Sequence, residues 1–349
     1  METQQLVPQK KIKKQKPVGL IILIVFMIGV IGFAGYAMSS ESTALQQSSV
    51  SKQKDVMKSF NFDFGNTPSK NIPIVAGDYI AKIYITGVIQ KENKTYNQKW
   101  LLDTISDLKS DSKNKGIILF IDSPGGSVYE SDELYLALSN YQTTHKPVWT
   151  YMASLAASGG YYIACGSTYI CANRNTLTGS IGVIAGQSMD LTGLMEKYGI
   201  KSKTFTAGKN KNMLNYNSPL TEEQEQIMQS IADECYDQFT TIVSFNRDIP
   251  IDQVKQIADG RIYTAKQAQK LKLIDKICSF DEAVAEMKAK NNLTDCEVAD
   301  YKYIPKTSFY DMLTSTLSNI TPLSKSPEQT LIELTKSNIT YPAYLYEGK

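Results

Sequence analysis

A chain of 349 residues, 42% hydrophobic and 21% charged, is long for one domain, short for three, and apolar enough to bury a proper core. Its 37 basic and 35 acidic side chains leave a net charge of +2, which gives no reason to expect nucleic acid as a partner, since no basic field is available to neutralise phosphates. The five cysteines (Cys165, Cys171, Cys235, Cys278, Cys296) fit neither zinc-ribbon nor CxxC spacing, so no metal or cofactor is expected. Free structural thiols are the expectation, with one pair among Cys235, Cys278 and Cys296 left open for an exported domain.

In chain order, a basic tail at 1–17 carries Lys10, Lys11, Lys13, Lys14 and Lys16. It precedes an uncharged run, Val18–Met38, whose 21 residues reach about 30 Å as a helix, the thickness of a hydrocarbon core. Positive charge on the near side keeps the N-terminus cytoplasmic and sends the rest of the chain outward. A cleaved signal peptide is the competing reading, with Gly35 and Ala37 at its cleavage positions, but the apolar run is longer than such a segment needs. Residues 39–75 are polar and read as a linker, 76–300 as the folded domain, and 301–349 as a loosely ordered tail rich in Ser, Thr and Pro.

Within the domain, strands are expected at Ile80–Ile89, Gly116–Ser123, Pro147–Ser154, Tyr169–Ala172, Ile181–Ile184 and Lys203–Thr206. The nearly continuous apolar run GIILFIDS is the mark of a strand buried on both faces. Helical spacing appears at Trp100–Leu108, Ser127–Tyr141, from about Ser158, at Leu191–Tyr198 and Thr221–Phe245, then at Ala265–Leu271 and Phe280–Lys290; TEEQ at Thr221 is a capping box. Alternating strands and helices imply an α/β fold with a parallel-sheet core and helices around it.

Two glycine-rich elements follow successive strands. In AASGGYYIA, Ala156–Ala164, a serine stands among small residues with two glycines behind it, which suits a sharp strand-to-helix turn and close approach by a substrate backbone. DSPGGSV, Asp122–Val128, lies at the carboxyl end of its strand, where open parallel sheets put their sites, and its glycines can expose an N–H to a developing oxyanion. Each element alone also reads as an ordinary packing contact or turn. Only one histidine, His145, is available to activate a serine, and it precedes a strand, at the wrong end of the sheet. A lysine base is the alternative, and lowering its pKa from about 10.4 to about 7–8 corresponds to roughly 4 kcal/mol against the charged form. TAGKNKNML offers Lys209 and Lys211, and sequence physics does not choose between them.

Together, SPGG at Ser123–Gly126, SxAASGGYYIA from Ser154, LTGSIGV at Leu177–Val183, Gly208-x-x-Lys211 and DGRIYTAKQAQKLKLID from Asp259 resemble the bacterial signal peptide peptidase A (SppA) family, in that family's order, over Ile80 to about Glu286. The resemblance implies a Clp-protease/crotonase-like fold and a serine protease working through a Ser-Lys dyad. Carried over by position, it makes Ser158 the nucleophile, Lys211 the general base, Ser180 the residue that orients the lysine amine, and Gly126 and Gly159 the oxyanion donors. Asn212 departs from the Ser or Asp often found there. The family further implies a homo-octameric ring, with the dyad completed either within one subunit or between one subunit's lysine and a neighbour's serine, an alternative the sequence leaves open, and released signal peptides as substrates at the outer face of the cell membrane. Rival readings are a crotonase-like enzyme acting on coenzyme A thioesters and a catalytically dead membrane scaffold.

Overall fold

The structure, a computed structural model, describes residues 73–305 and 342–346. The expected span at 18–38, the basic tail before it, nearly all of the linker and most of the 301–349 tail lie outside these residues. No helix among the described residues is long and apolar enough to cross a membrane.

The core begins with β1 (Tyr79–Thr86), α1 (Gln98–Ser110), β2 (Asn114–Ser123), the short β3 (Gly125–Ser127), α2 (Val128–Gln142), β4 (Val148–Ala157) and α3 (Gly159–Ala164). It continues through β5 (Tyr169–Ala172), β6 (Leu177–Gly179), α4 (Thr192–Lys197), α5 (Glu222–Arg247) and α6 (Ile251–Ile257). The last elements are β7 (Ile262–Thr264), α7 (Ala265–Lys270), β8 (Lys276–Ile277), α8 (Phe280–Lys290), β9 (Glu297–Tyr301) and, far along the chain, β10 (Ala343–Leu345).

The main sheet runs β7-β6-β4-β2-β1-β9, with β5 beside β4 and β8 beside β5. Every pairing in it is parallel except β6 with β7, so the sheet is mixed where an all-parallel one was expected. Alternate side chains enter two cores. Ile83, Ile85, Ile117, Leu119 and Ile121 face the layer containing α1, α2, α3 and part of α5, while Ile80, Ile118, Trp149 and Cys171 face α8 through Ala283 and Met287. Apolar burial on both faces is why β2 reads as an unbroken hydrophobic run.

β4 is the strand that matters for function. Its first half pairs with β5 and its end with β6, so its tip stands over the point where these neighbours part. Between β2 and β4 the register slips: Ile121 faces Met152, but Ser123 faces Ala156. Asp122 holds the slipped stretch, accepting hydrogen bonds from the Ser154 hydroxyl at 2.6 Å and the Leu155 amide at 3.1 Å. Such a bulge re-aims the strand beyond it.

Several sequence expectations differ from the structure. Ile181–Ile184 forms no strand; the strand is Leu177–Gly179, just upstream, and Ile184 makes only an isolated bridge. Lys203–Thr206 is irregular and exposed, because apolar and polar residues alternate there without a sheet edge to join. α6, β7, β8 and β9 were not anticipated; β7 and β8 are two or three residues long, and β9 reads EVADY, with too little apolar periodicity to stand out. Ala343–Leu345 is an ordered strand inside a tail expected to be loose.

Candidate active site

Ser158 follows the last residue of β4 and caps α3 with φ 53° and ψ −118°, a backbone conformation that side-chain-bearing residues rarely adopt. Its amide donates to the Gly179 carbonyl at 2.8 Å and its carbonyl accepts from the Tyr162 amide at 2.8 Å, so both sides of the turn are fixed. The Ser158 side chain is buried, and its Oγ has no hydrogen-bond partner among the described residues. A buried hydroxyl without a partner costs roughly 1–3 kcal/mol, and such groups together with backbone strain are concentrated at functional sites.

Both glycine elements converge on this serine. In the SPGG turn, the Ser123 hydroxyl donates to the Gly87 carbonyl and accepts from the Gly125 amide, which sets the approach of β3. A Cβ on Gly126 would fall on the Ile89 carbonyl, and one on Gly159 would stand 2.5 Å from Ser131 Oγ and 3.1 Å from the Gly126 nitrogen. Only glycine allows these two backbones to come so close. Ser180 is nearby through the chain: Gly179 accepts the Ser158 amide, and Ser180, itself buried at φ 50°, donates its amide to the Arg261 carbonyl at 2.7 Å.

Neither candidate lysine is hydrogen-bonded to Ser158. Lys211 is exposed on the turn after Gly208, and its amine makes no hydrogen bond or ion pair among the described residues. Lys209 is paired with Glu223, whose carboxyl it holds below the usual range. The two candidates left open by the sequence are thus distinguished: one has an acidic partner and the other has none. Among the described residues, no lysine is hydrogen-bonded to the Ser158 hydroxyl. His145 is exposed in the turn before β4, at the end of the strand opposite Ser158. All five cysteines are free, and burial pushes their thiols up, Cys165 to about 12, so none is a ready thiolate. No cluster of metal-ligating side chains occurs among the described residues.

The site also contains residues that the sequence did not point to. β10 pairs antiparallel with β3, Tyr344 opposite Gly126, and on its other edge Ala343 exchanges two 3.0 Å hydrogen bonds with Ile184. The Tyr344 ring is fully buried, stacked on Tyr162 at 4.9 Å and tilted against Phe239 at 4.7 Å, and its hydroxyl donates to the Cys235 carbonyl at 2.8 Å. Tyr162 donates to Asp132 at 2.6 Å and accepts from Gln238 at 2.7 Å. Burial pushes both phenols well up, with the Asp132 hydrogen bond adding to the effect on Tyr162, so both remain neutral donors. The available signal was the aromatic, apolar PAYLY in a polar tail, but nothing local shows where such a segment docks.

Comparison with known proteins fits this geometry. The model of peptidase family S49 matches residues 140–294, the stretch that carries β4, Ser158 and the Gly179–Ser180 turn. A putative signal peptide peptidase SppA of Enterococcus faecium is 35% identical over 230 residues, covering 64% of this chain and 67% of that protein. The chain belongs to the SppA family of peptidase family S49. This SppA-family member is a serine protease, and its relatives extend across lineages. A putative protease of Synechocystis is 36% identical over 58% of this chain and 71% of its own length, and one of Methanocaldococcus jannaschii is 32% identical over 66% and 77%. Among solved structures, a ClpP1 mutant of Listeria monocytogenes aligns over 58% of this chain and 94% of its own with a TM-score of 0.41 and 15% identity, too loose a superposition to carry an argument.

Proposed function

We propose that this serine protease cuts small peptides, released signal peptides among them, with Ser158 as nucleophile and Lys211 as general base, at the outer face of the membrane in which Val18–Met38 anchors it. One observation carries the assignment of the nucleophile: a buried, partnerless hydroxyl on a strained turn, faced by two glycines whose Cβ positions are occupied by backbone or Ser131. The carbonyl of a bound peptide meets Ser158 Oγ, and the amides of Gly126 and Gly159 receive the negative charge that develops on its oxygen. Ser180 orients the base. The fold is read as the Clp-protease/crotonase type.

The base comes from a neighbouring subunit in this reading. Among the described residues, Ser158 Oγ has no lysine as a hydrogen-bond partner, and Lys211 is exposed without an acidic partner. The segment around Lys211 also presents Met189, Leu194, Tyr198, Ile200, Phe205 and Tyr216 to solvent, Phe205 83% exposed, an apolar surface suited to subunit contact in a ring of eight. No cofactor is required.

The test is labelling with a serine-directed acylating probe followed by peptide mapping by mass spectrometry. Label on Ser158, lost together with peptide hydrolysis in Ser158→Ala, is the expected result. Label that persists in Ser158→Ala would overturn the assignment.

A further inference from the structure

Two of the five thiols meet across the sheet. β5 pairs in parallel with β8, Cys171 opposite Lys276, and Cys278 follows two residues later, so its side chain leaves the same face of the sheet as that of Cys171. The Cys278 amide extends the ladder by donating to the Ala172 carbonyl at 3.0 Å. Upstream, the Asp275 amide donates to the Ile170 carbonyl at 2.8 Å, so β8 is held at both ends. The two thiols are hydrogen-bonded to each other. The remaining cysteines are elsewhere: Cys165 and Cys235 belong to the core on the opposite face, and Cys296, just before β9, is separated from β5 by β4, β2 and β1.

Diagonal neighbours on paired strands stand roughly 7–8 Å apart at Cα, the upper limit of what a disulfide spans. The contact between the thiols shows that the side chains already bridge this distance. Cys278 also follows a strand of only two residues, where a backbone shift is least opposed. Access is unequal. Cys171 is fully buried in the core that contains Trp149, Tyr151 and Met287, whereas Cys278 is half-buried, directly before the N-cap Ser279 of α8.

We propose that Cys171 and Cys278 form a disulfide on contact with an external disulfide, a redox-dependent staple that fastens β8 and the start of α8 to β5, the neighbour of the strand that leads to Ser158. The Cys278 sulfur, as thiolate, attacks one sulfur of the external disulfide, whose other half leaves as a thiol. The Cys171 sulfur then attacks Cys278 in the mixed disulfide, and the second half leaves as a thiol. Two protein thiols thus give up two electrons and two protons, and the external disulfide takes up both. Burial pushes both thiols up, and at Cys278 the hydrogen bond with Cys171 and the Lys276 charge act against it, so the exchange begins at the more accessible sulfur. The bond closes the chain from 171 to 278, a stretch that contains Ser180, Lys211 and all of α5, and long loops gain most from closure. The extracytoplasmic side proposed for the domain is the kind of compartment in which such a bond persists.

Incubation of the purified full-length chain with oxidised glutathione, followed by mass-spectrometric mapping of linked peptides under non-reducing conditions, tests this. One linked pair is expected, Cys171 with Cys278, and the thiols titrated in the unfolded chain are expected to fall from five to three. The linked form is expected to melt about 5 °C or more above the same protein treated with dithiothreitol. Cys171→Ala is expected to retain glutathione on Cys278, since the thiol that resolves the mixed disulfide is gone, and Cys278→Ser to show no Tm difference between the two treatments. A wild type that keeps five thiols, that links any other pair, or whose linked form melts no higher than the reduced one contradicts the inference, and each of these results leaves the assignment of Ser158 untouched.

Discussion

Ser158, the proposed nucleophile, sits at a conformational cost. At φ 53° and ψ −118° its Cβ is held where glycine alone is comfortable, a strain of about 1–3 kcal/mol. Ser158→Gly is therefore expected to be more stable than Ser158→Ala by about 1 kcal/mol in urea unfolding, although both are inactive. Equal stabilities would mean that the turn carries no strain. The lysines divide in a similar way. Lys211→Ala is expected to lower kcat roughly 10²–10⁴-fold, the usual contribution of a general base, whereas Lys209→Ala removes only an exposed pair with Glu223 and stays near wild type. The opposite ranking would move the base by two positions. At this scale the two glycine-rich turns that meet at Ser158 were legible because small residues after a strand leave a local mark. The pocket of Tyr162, Phe239 and Tyr344 was not, because its members come from three distant segments that meet only in the folded chain.

Between elements, the pair Arg247–Asp275 ties the end of α5 to the core. The guanidinium makes a two-pronged contact with the carboxylate at 2.8 and 3.0 Å and also donates to the Lys272 carbonyl, while Asp275 accepts from the Ile170 amide at the start of β5. Arg247→Ala leaves that carboxylate largely desolvated and without its cation, and is expected to cost about 3 kcal/mol in denaturant unfolding. A loss within experimental error would show that Asp275 relaxes to water. α8 supplies a pH effect. Lys276 first, and Lys290 after it, hold the Glu286 carboxyl at about 2, below its ordinary value of 4.5. Because the folded value is the lower one, the stabilisation is complete above about pH 4.5 and fades as pH falls toward 2. Between pH 6 and pH 3 the Tm of Glu286→Gln is expected to fall by less than that of the wild type; parallel declines would contradict this. The strands buried on both faces could be read from their apolar runs, as β2 shows. Short or half-polar strands such as β8 and β9 could not, since sheet neighbours rather than their own periodicity define them.

Across the whole molecule, the proposed nucleophile Ser158 has no hydrogen-bond partner for its hydroxyl, and the proposed base Lys211 has no acidic partner, among the described residues. The family resemblance implies a ring, and the apolar side chains exposed from Met189 to Tyr216 agree with a contact made there. With Val18–Met38 as the proposed anchor, full-length protein is expected in the membrane fraction, released by detergent but not by high salt; release by salt alone would contradict an anchor. The central claim, that Ser158 of one chain is served by Lys211 of another, is tested most directly by mixing two inactive proteins. Ser158→Ala and Lys211→Ala, unfolded together and reassembled, are expected to regain roughly a quarter of wild-type peptide hydrolysis, since random assortment joins an intact serine to an intact neighbouring lysine at about one site in four. If the reassembled mixture stays as inactive as its components while wild type treated the same way recovers, the dyad does not span two chains.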